Sequence, residues 1–287
     1  MTLFGGMNEA TLRLTAFLSI LVVMAVLEVI WPRRALSAPK IKRWGTNLSI
    51  VAIDTLTVRA MAALPFVTGA VVMPLVAIAA AVYAERNGIG LFNVIGLPAW
   101  LELVLALVVL DFAIWLQHLA SHKVPLLWRL HRMHHADPDI DVTTALRFHP
   151  IEIALSMLWK MLWVFALGPS VLAVVLFEVI LNGCALFNHA NFKLPLWLDR
   201  VLRLFLVTPD MHRVHHSIEA GEHHRNFGFN LSIWDRMFST YVAQPAAGHE
   251  GMVIGLAQFP APGPVQLAYS LLIPFRDGTT VAGSPKS

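Results

Sequence analysis

The sequence predicts an all-α integral membrane protein of about four transmembrane helices, with a cytosolic His-rich helical cap holding a dimetal site. Three observations predict it. The 287 residues are 57% hydrophobic and only 14% charged, with a mean hydropathy of +0.65. Several apolar runs reach bilayer length. Most of the 13 histidines fall in clusters of repeated spacing.

A soluble domain of this length would carry far more surface charge. The formal net charge of +3 and the pI near 9.2 do not point to nucleic acid, because the Lys and Arg residues are scattered. Basic residues beside apolar runs read better as topology signals. The lone Cys184 excludes a disulfide framework and a thiolate metal site. It reads as a small packed hydrophobe, which leaves histidine as the main candidate ligand.

The first apolar run, Leu12 to Trp31, is long enough to span a bilayer. No small-residue cleavage site follows it, so it reads as a retained span. "PRRALSAPKIKRW" comes next, and its five Lys/Arg residues place this loop on the cytoplasmic side. Asn47 to Ala84 is almost continuously apolar but is interrupted by Pro65, Gly69 and Pro74. It reads as one kinked span, or as a span plus a re-entrant segment. "ERNGIG" is a turn, since no further Gly or βαβ context completes a nucleotide loop.

Pro98 to about Ala120 is the next span. Ile151 to Leu167 and Ser170 to Phe187, joined through "GP", read as a helical hairpin. Polar, His-rich segments run from Ser121 to His149 and from His189 to about Tyr241. If the hairpin crosses twice, both segments lie on one side and form one cap. Matching that side to the basic first loop requires an even number of crossings between Arg43 and Ser121, and two are expected. Three regions follow: an N-terminal transmembrane region over 1–97, a catalytic region over 98–245, and a C-terminal tail over 246–287 with a weaker apolar stretch, "VQLAYSLLIPF", and the end "TTVAGSPKS".

His118 and His122 lie four apart at the end of a span, on one helix face. His131, His134 and His135 have spacing i, i+3, i+4, and His212, His215 and His216 repeat it. Neutral imidazole is a common borderline metal ligand. Eight such rings in one small volume could not all protonate, and leaving them unpaired would be costly. Metal coordination resolves both problems. One ion takes about four to six ligands, so eight or nine histidines imply two ions.

His189, in "FNHANF", is a candidate ninth ligand. Glu178 and Asn182 share its helix face and are candidates for its polar support, since polar groups inside an apolar span are functional by default. Asp111, two turns before His118, could accept the second N–H of a ligating ring or pair with an Arg. His149 is either a supporting residue or the start of the helix at Pro150. His223, His224 and His249 read as surface residues. "HExxH" and "GxSxG" are absent, which disfavours a zincin protease and a nucleophile elbow.

The motifs "DFAIWLQHLASH", "LWRLHRMHH", "RFHPIE", "NHANF", "HRVHHS" and "NFGFNLSIWDRMFSTY" occur in an order that resembles the fatty acid hydroxylase/sterol desaturase superfamily. The resemblance covers roughly Leu101 to Tyr241. It implies a membrane-bound non-haem di-iron oxidoreductase that uses O₂ to hydroxylate or desaturate a lipid C–H bond, sterol, isoprenoid or fatty acyl. It implies that His118, His122, His131, His134, His135, His189, His212, His215 and His216 bind two iron ions (Fe²⁺). Arg147, His149 and Glu152 fall in a motif near that site. His224 departs from the family pattern, where an acidic residue often stands.

Two electrons per turnover would come from outside. No dinucleotide fingerprint, cysteine set or fused haem region is visible, so a separate donor is implied: a reductase, a ferredoxin-like protein or a small haem protein. The bilayer would deliver the lipid, and a bacterial cytoplasmic membrane with the site facing the cytoplasm is the expected location. Two other classes stay open at this point. A non-catalytic membrane carrier of metal or haem would need fewer clustered ligands, and a zinc-dependent membrane hydrolase would want a general-base Glu beside the clusters.

Overall fold

Backbone groups facing lipid find no water, so apolar runs must satisfy their own hydrogen bonds as helices. The computed structural model describes residues 2–3, 7–63, 66–68, 71–73 and 76–277. The chain forms helices α1 (Glu9–Ile30), α2 (Lys40–Ala63), α3 (Ala77–Arg86), α4 (Leu91–Ile95), α5 (Ala99–Lys123), α6 (Pro125–His135), α7 (Pro150–Leu167) and α8 (Val171–His189). The shorter α9 (Leu196–Leu202), α10 (Pro209–His215), α11 (Ala220–His223), α12 (Ile233–Met237), α13 (Gly248–Gly251) and α14 (Leu267–Leu272) follow. Two small antiparallel ribbons, Thr2–Leu3 with Met7–Asn8 and Phe66–Thr68 with Val71–Met73, complete the described structure.

Among the described residues, four helices are long and apolar enough to cross a membrane: α1, α5, α7 and α8. They coincide with the expected spans. Helix α5 runs one turn further than expected, to Lys123, and so carries His122. Asn47–Ala84 divides between α2 and α3 instead of forming one kinked helix. Pro65, Gly69 and Pro74, on which the re-entrant reading rested, lie outside the described residues, as does the end from Thr279 onward.

Local sequence sets the helix starts that aim the histidines. Pro125, Pro150 and Pro209 each open a helix, where the missing N–H costs nothing. Thr208 caps α10 by accepting from the Met211 amide at 3.4 Å, and Ser170 caps α8 by accepting from Ala173 at 3.3 Å. Gly168 ends α7 in a left-handed conformation, φ 64°. It packs so closely on the 87–90 turn that a Cβ on Gly90 would fall 2.2 Å from the Gly168 nitrogen. Thus "ERNGIG" is the expected turn, fastened to the hairpin tip.

That contact defines the end of the bundle far from the cap. At the other end gather the C-terminal ends of α1, α5 and α8 and the N-terminal ends of α2 and α7. Glu28 of α1 accepts from the Val142 amide at 2.6 Å and the Asn191 amide at 2.8 Å. Helix α2 leaves this end and α5 returns to it. The basic loop and both His-rich segments therefore share one end, as two passes between Arg43 and Ser121 require. By composition only α5 of that pair is among the four candidate spans.

Packing between the helices relies on close backbone approach, since lipid is as apolar as the helix surfaces. Ala77, Ala80, Ala81 and Ala84 make the buried face of α3 against α7 and α8. A second cluster joins Phe92, Leu110, Ile114, Leu167 and Phe177 across α4, α5, α7 and α8. The segment expected as a C-terminal tail packs on the cap over 246–277. Phe259 and Ile273 join Met133 and Ile50 in a buried cluster, and Arg132 donates to the Ile273 carbonyl at 2.9 Å.

Basic residues expected to act as topology signals are partly built into the cap. Arg33 pairs with Asp210 at 3.1 Å, Arg34 donates to the Met252 carbonyl at 2.8 Å, and Arg43 is fully buried between aspartates. Lys40 and Lys42 remain as the more accessible part of that loop.

Candidate metal centre

Helix α5 supplies His118 and His122, α6 supplies His131, His134 and His135, and α8 ends in His189. Helix α10 and its C-cap supply His212, His215 and His216. All nine rings are buried. They form two groups whose ring nitrogens lie within 4.8 Å of one another: His118, His122, His131, His135 and His215 in one, and His134, His189, His212 and His216 in the other. Each i, i+4 pair stays within a group, whereas the i+3 residues His134 and His215 cross to the opposite group.

Most rings are oriented from behind. The Nδ1–H of His118 donates to the Phe227 carbonyl at 2.8 Å, His189 to Ala185 at 2.8 Å, His215 to Arg225 at 2.6 Å and His134 to Arg147 at 3.2 Å. His131 donates from Nδ1 to Glu152 Oε1 at 2.6 Å. Donation from Nδ1 fixes the tautomer and leaves the Nε2 lone pair facing inward, the usual arrangement behind a metal-bound imidazole.

The inward nitrogens test whether these residues fit metal. Nε2 atoms of His118 and His131 lie 3.1 Å apart, those of His134 and His189 3.2 Å, and those of His189 and His212 3.0 Å. Two lone pairs at that distance repel unless a proton or cation lies between them. His122 Nε2, His215 Nε2 and both ring nitrogens of His135 and His216 are buried without a hydrogen-bond partner, a costly state for polar atoms. Burial, followed by neighbouring imidazoles, pushes His134, His135, His212 and His216 well below the ordinary imidazole value. Burial and His118 do the same to His215. The rings are thus neutral and ligand-competent, and the donor sets fit two borderline cations such as iron or zinc.

Carboxylates in the 137–141 stretch hold the cap to α2. Asp137 accepts from Arg43 Nε at 2.6 Å and Nη2 at 2.9 Å, and Asp141 accepts from Arg43 Nη1 at 2.6 Å. Burial would raise the Asp137 carboxyl, but the Arg43 guanidinium holds it below its usual value. Arg147 donates to the Met133 carbonyl at 3.0 Å, Asn47 at 3.0 Å and the Pro264 carbonyl at 2.8 Å. In "HRMHHADPD" the histidines therefore face the centre, while Asp137 clamps α2 and Asp139 accepts from the Ser37 and Ala38 amides just before it.

Asp111, Glu178 and Asn182, expected to support the rings, are placed otherwise, and His149 takes the helix-start role that was its other expected reading. Asp111 accepts from Trp234 Nε1 at 2.7 Å and the Leu231 amide at 3.3 Å, so it tethers the 231–234 segment. Glu178 pairs with Lys160 at 3.0 Å and Arg13 at 2.7 Å, and Asn182 donates to the Glu178 carbonyl. His149 is the N-cap of α7, accepting from the Ile151 amide at 3.2 Å. Helix periodicity could not show which neighbour the first three would meet. Glu152, which the motif carried without a role, is the carboxylate that meets a ring.

Three histidines expected at the surface are also packed. His223 is buried and stacks on Trp128 with centroids 5.7 Å apart. His224 is half-buried, with Nδ1 3.1 Å from His122 Nδ1. His249 is buried against Gln244 at 2.8 Å. Adjacent-pair spacing hides such contacts, because they depend on loop paths.

Residues 103–240 match the model of the fatty acid hydroxylase family. The chain is similar to ornithine lipid hydroxylase OlsE of Rhizobium tropici, 29% identical over 148 residues, 52% of this chain and 44% of that protein. It is 33% identical to alkylglycerol monooxygenase of Xenopus tropicalis over 167 residues, 57% of this chain and 35% of the relative. Fatty acid hydroxylase vlmA of Lecanicillium sp is 31% identical over 163 residues, 50% of this chain and 42% of the relative. The matched stretch thus covers less than half the length of each of these relatives. No solved structure matches.

Proposed function

We propose, for a chain whose residues 103–240 match the model of the fatty acid hydroxylase family, an O₂-dependent di-iron lipid hydroxylase at the membrane. The observation that carries this reading is the division of nine buried histidines into groups of five and four. A haem carrier needs one or two axial ligands, and a zinc site is usually filled by three or four ligands plus water. Two adjacent all-imidazole groups suit two redox metals better.

Bound there, two irons would supply the reduction of O₂ that puts one oxygen atom into a C–H bond and releases the other as water, with two electrons and two protons from outside. The nine histidines would hold them, with the Nδ1 donors to Glu152 and to backbone carbonyls fixing ring orientation. Phe148, stacked on His134 at 4.6 Å, and Phe227 and Phe229, within 5.8 Å and 5.6 Å of His118, make an apolar boundary that excludes water.

The names of the relatives favour hydroxylation over desaturation, and favour an acyl or alkyl chain of a polar lipid as substrate. The basic loop at the cap end and one bacterial relative support a bacterial cytoplasmic membrane with the centre facing the cytoplasm. The electron donor is a separate protein in this reading.

The test is metal content and turnover together. Protein purified anaerobically after iron-supplemented expression should hold about two irons per chain, as ligand counts of five and four imply. It should consume O₂ only with an electron donor and a lipid, and yield a hydroxylated lipid. Zinc-dependent hydrolysis with no O₂ uptake would overturn the reading.

A further inference from the structure

After leaving the centre the chain turns back toward the membrane. The Phe227 carbonyl holds His118, yet a few residues later the Leu231 amide and Trp234 indole bind Asp111 at 3.3 Å and 2.7 Å. Asp111 stands midway along α5. It lies seven residues before His118, about 10 Å further from the cap along the helix axis. Trp234 and Phe238 pack on Phe112 and Trp115 of the same helix, with Phe238 stacked on Trp115 at 4.6 Å. Helix α12 therefore lies alongside a candidate span at a level where that span is apolar.

Residues around α9 are fastened to it. The Val207 amide donates to the Asn230 carbonyl at 2.9 Å, and the Ser232 amide donates to the Phe205 carbonyl at 3.0 Å. The joined surface exposes large apolar side chains: Trp197 is 67% exposed, Leu204 58%, Phe205 66% and Met237 62%. Water would not favour so many large apolar side chains exposed on two joined segments. Arg200 is exposed and long enough to reach a headgroup layer, while Arg236 donates to the Arg203 carbonyl at 2.8 Å and lies over the Tyr241 ring.

We propose that α9 and α12 form a shelf seated in the bilayer beside α5, with Trp197, Leu204, Phe205 and Met237 among the acyl chains of the cap-side leaflet. Its occupant is lipid, because the shelf continues the lipid-facing side of α5 at the depth that Asp111 sets. In-plane amphipathic elements with Trp and Arg at their edges bind membranes in this way. The shelf ends at Phe229, whose ring lies 5.6 Å from His118, so acyl chains reach the side of the centre without leaving the bilayer.

The experiment reads position, not turnover, so its result is independent of the reaction proposed above. In a Cys184→Ala background, Phe205→Cys and Met237→Cys carry an environment-sensitive fluorophore in phosphatidylcholine nanodiscs. Val104→Cys, exposed on α5, is the lipid reference, and Glu250→Cys, exposed on the cap, is the water reference. Retention of the parent's thermal transition shows that each variant is folded, and the two shelf positions lie on separate segments. The expected result is quenching of both labels by acyl-chain nitroxides as at Val104→Cys, with iodide quenching far below that at Glu250→Cys. Strong iodide quenching at both positions would overturn the shelf. So would labels shielded from both quenchers, which would mark a protein contact.

Discussion

His131 Nδ1 lies 2.6 Å from Glu152 Oε1, joining the start of α7 to a ring of the five-histidine group. A carboxylate behind a ligating imidazole fixes its tautomer and raises its basicity, and loss of such a partner costs about 10–100-fold in metal affinity.

Glu152→Ala is therefore expected to lower metal affinity by about 10–100-fold, with Glu152→Gln less affected because its amide oxygen still accepts. Competition against a graded series of chelators measures this. Affinities unchanged in both variants would reject the positioning role of Glu152.

The two groups should empty separately. His135 and His216 stack at 4.7 Å but belong to different groups. His135→Ala and His216→Ala are each expected to lose about one metal per chain, since they remove one donor from the group of five and the group of four respectively. Elemental analysis of the folded variants decides it. Loss of both ions from either variant would mean one interdependent cluster.

Arg43 clamps Asp137 and Asp141 with its fork, and all three side chains are about 1% exposed. Removing one partner of a buried pair costs about 3–5 kcal/mol, so Arg43→Ala should lower the unfolding transition sharply. Arg43→Lys should not restore it, because an ammonium cannot hold Asp137 bidentately and Asp141 beside it as the guanidinium does. A shift within error of the parent for Arg43→Ala would sink the clamp.

Acid should release the metal. His134, His135, His212, His215 and His216 are held below the ordinary imidazole value by burial and by neighbouring rings. Above about pH 6.5, folded and unfolded rings are both neutral and the centre keeps its full stability. As pH falls below that value the unfolded chain binds more protons, so stability and metal affinity both decline. Metal retention measured from pH 8 to pH 4 should fall in this direction, and affinity that rises on acidification would contradict it.

Phe229 touches both groups, with its centroid 5.6 Å from His118 and 6.3 Å from His212. It also packs on two apolar clusters of the helix bundle. Phe229→Ala is expected to keep the metal and to shift the position of oxidation along the lipid chain, read by mass spectrometry of products. An identical product distribution would remove Phe229 from the boundary.

Spans and the histidines that gather were legible because each rests on local spacing. Apolar length marks a helix in lipid, and i, i+3, i+4 spacing puts rings on one face. The polar partners were not legible. Asp111, Glu178 and Asn182 have the right periodicity for ring support, yet Asp111 meets an indole, Glu178 an amine of α7, and Asn182 the Glu178 carbonyl one turn back on its own helix. Glu152 took that role because the start of α7 lies against α6. His223 and His249, read as surface residues, are enclosed by loops whose course no local pattern specifies.

By itself the sequence determined that spans and polar segments carry eight imidazoles in repeated spacing, with His189 a candidate ninth. Only the tertiary structure decided how they divide. His131 and His135 face one group and His134 the other, and His212 and His216 oppose His215 in the same way. Along one helix these residues are simply neighbours. The division arises because α6 packs on α5 while α10 packs on α8, so a step of three residues turns a ring toward a different set of partners than a step of four.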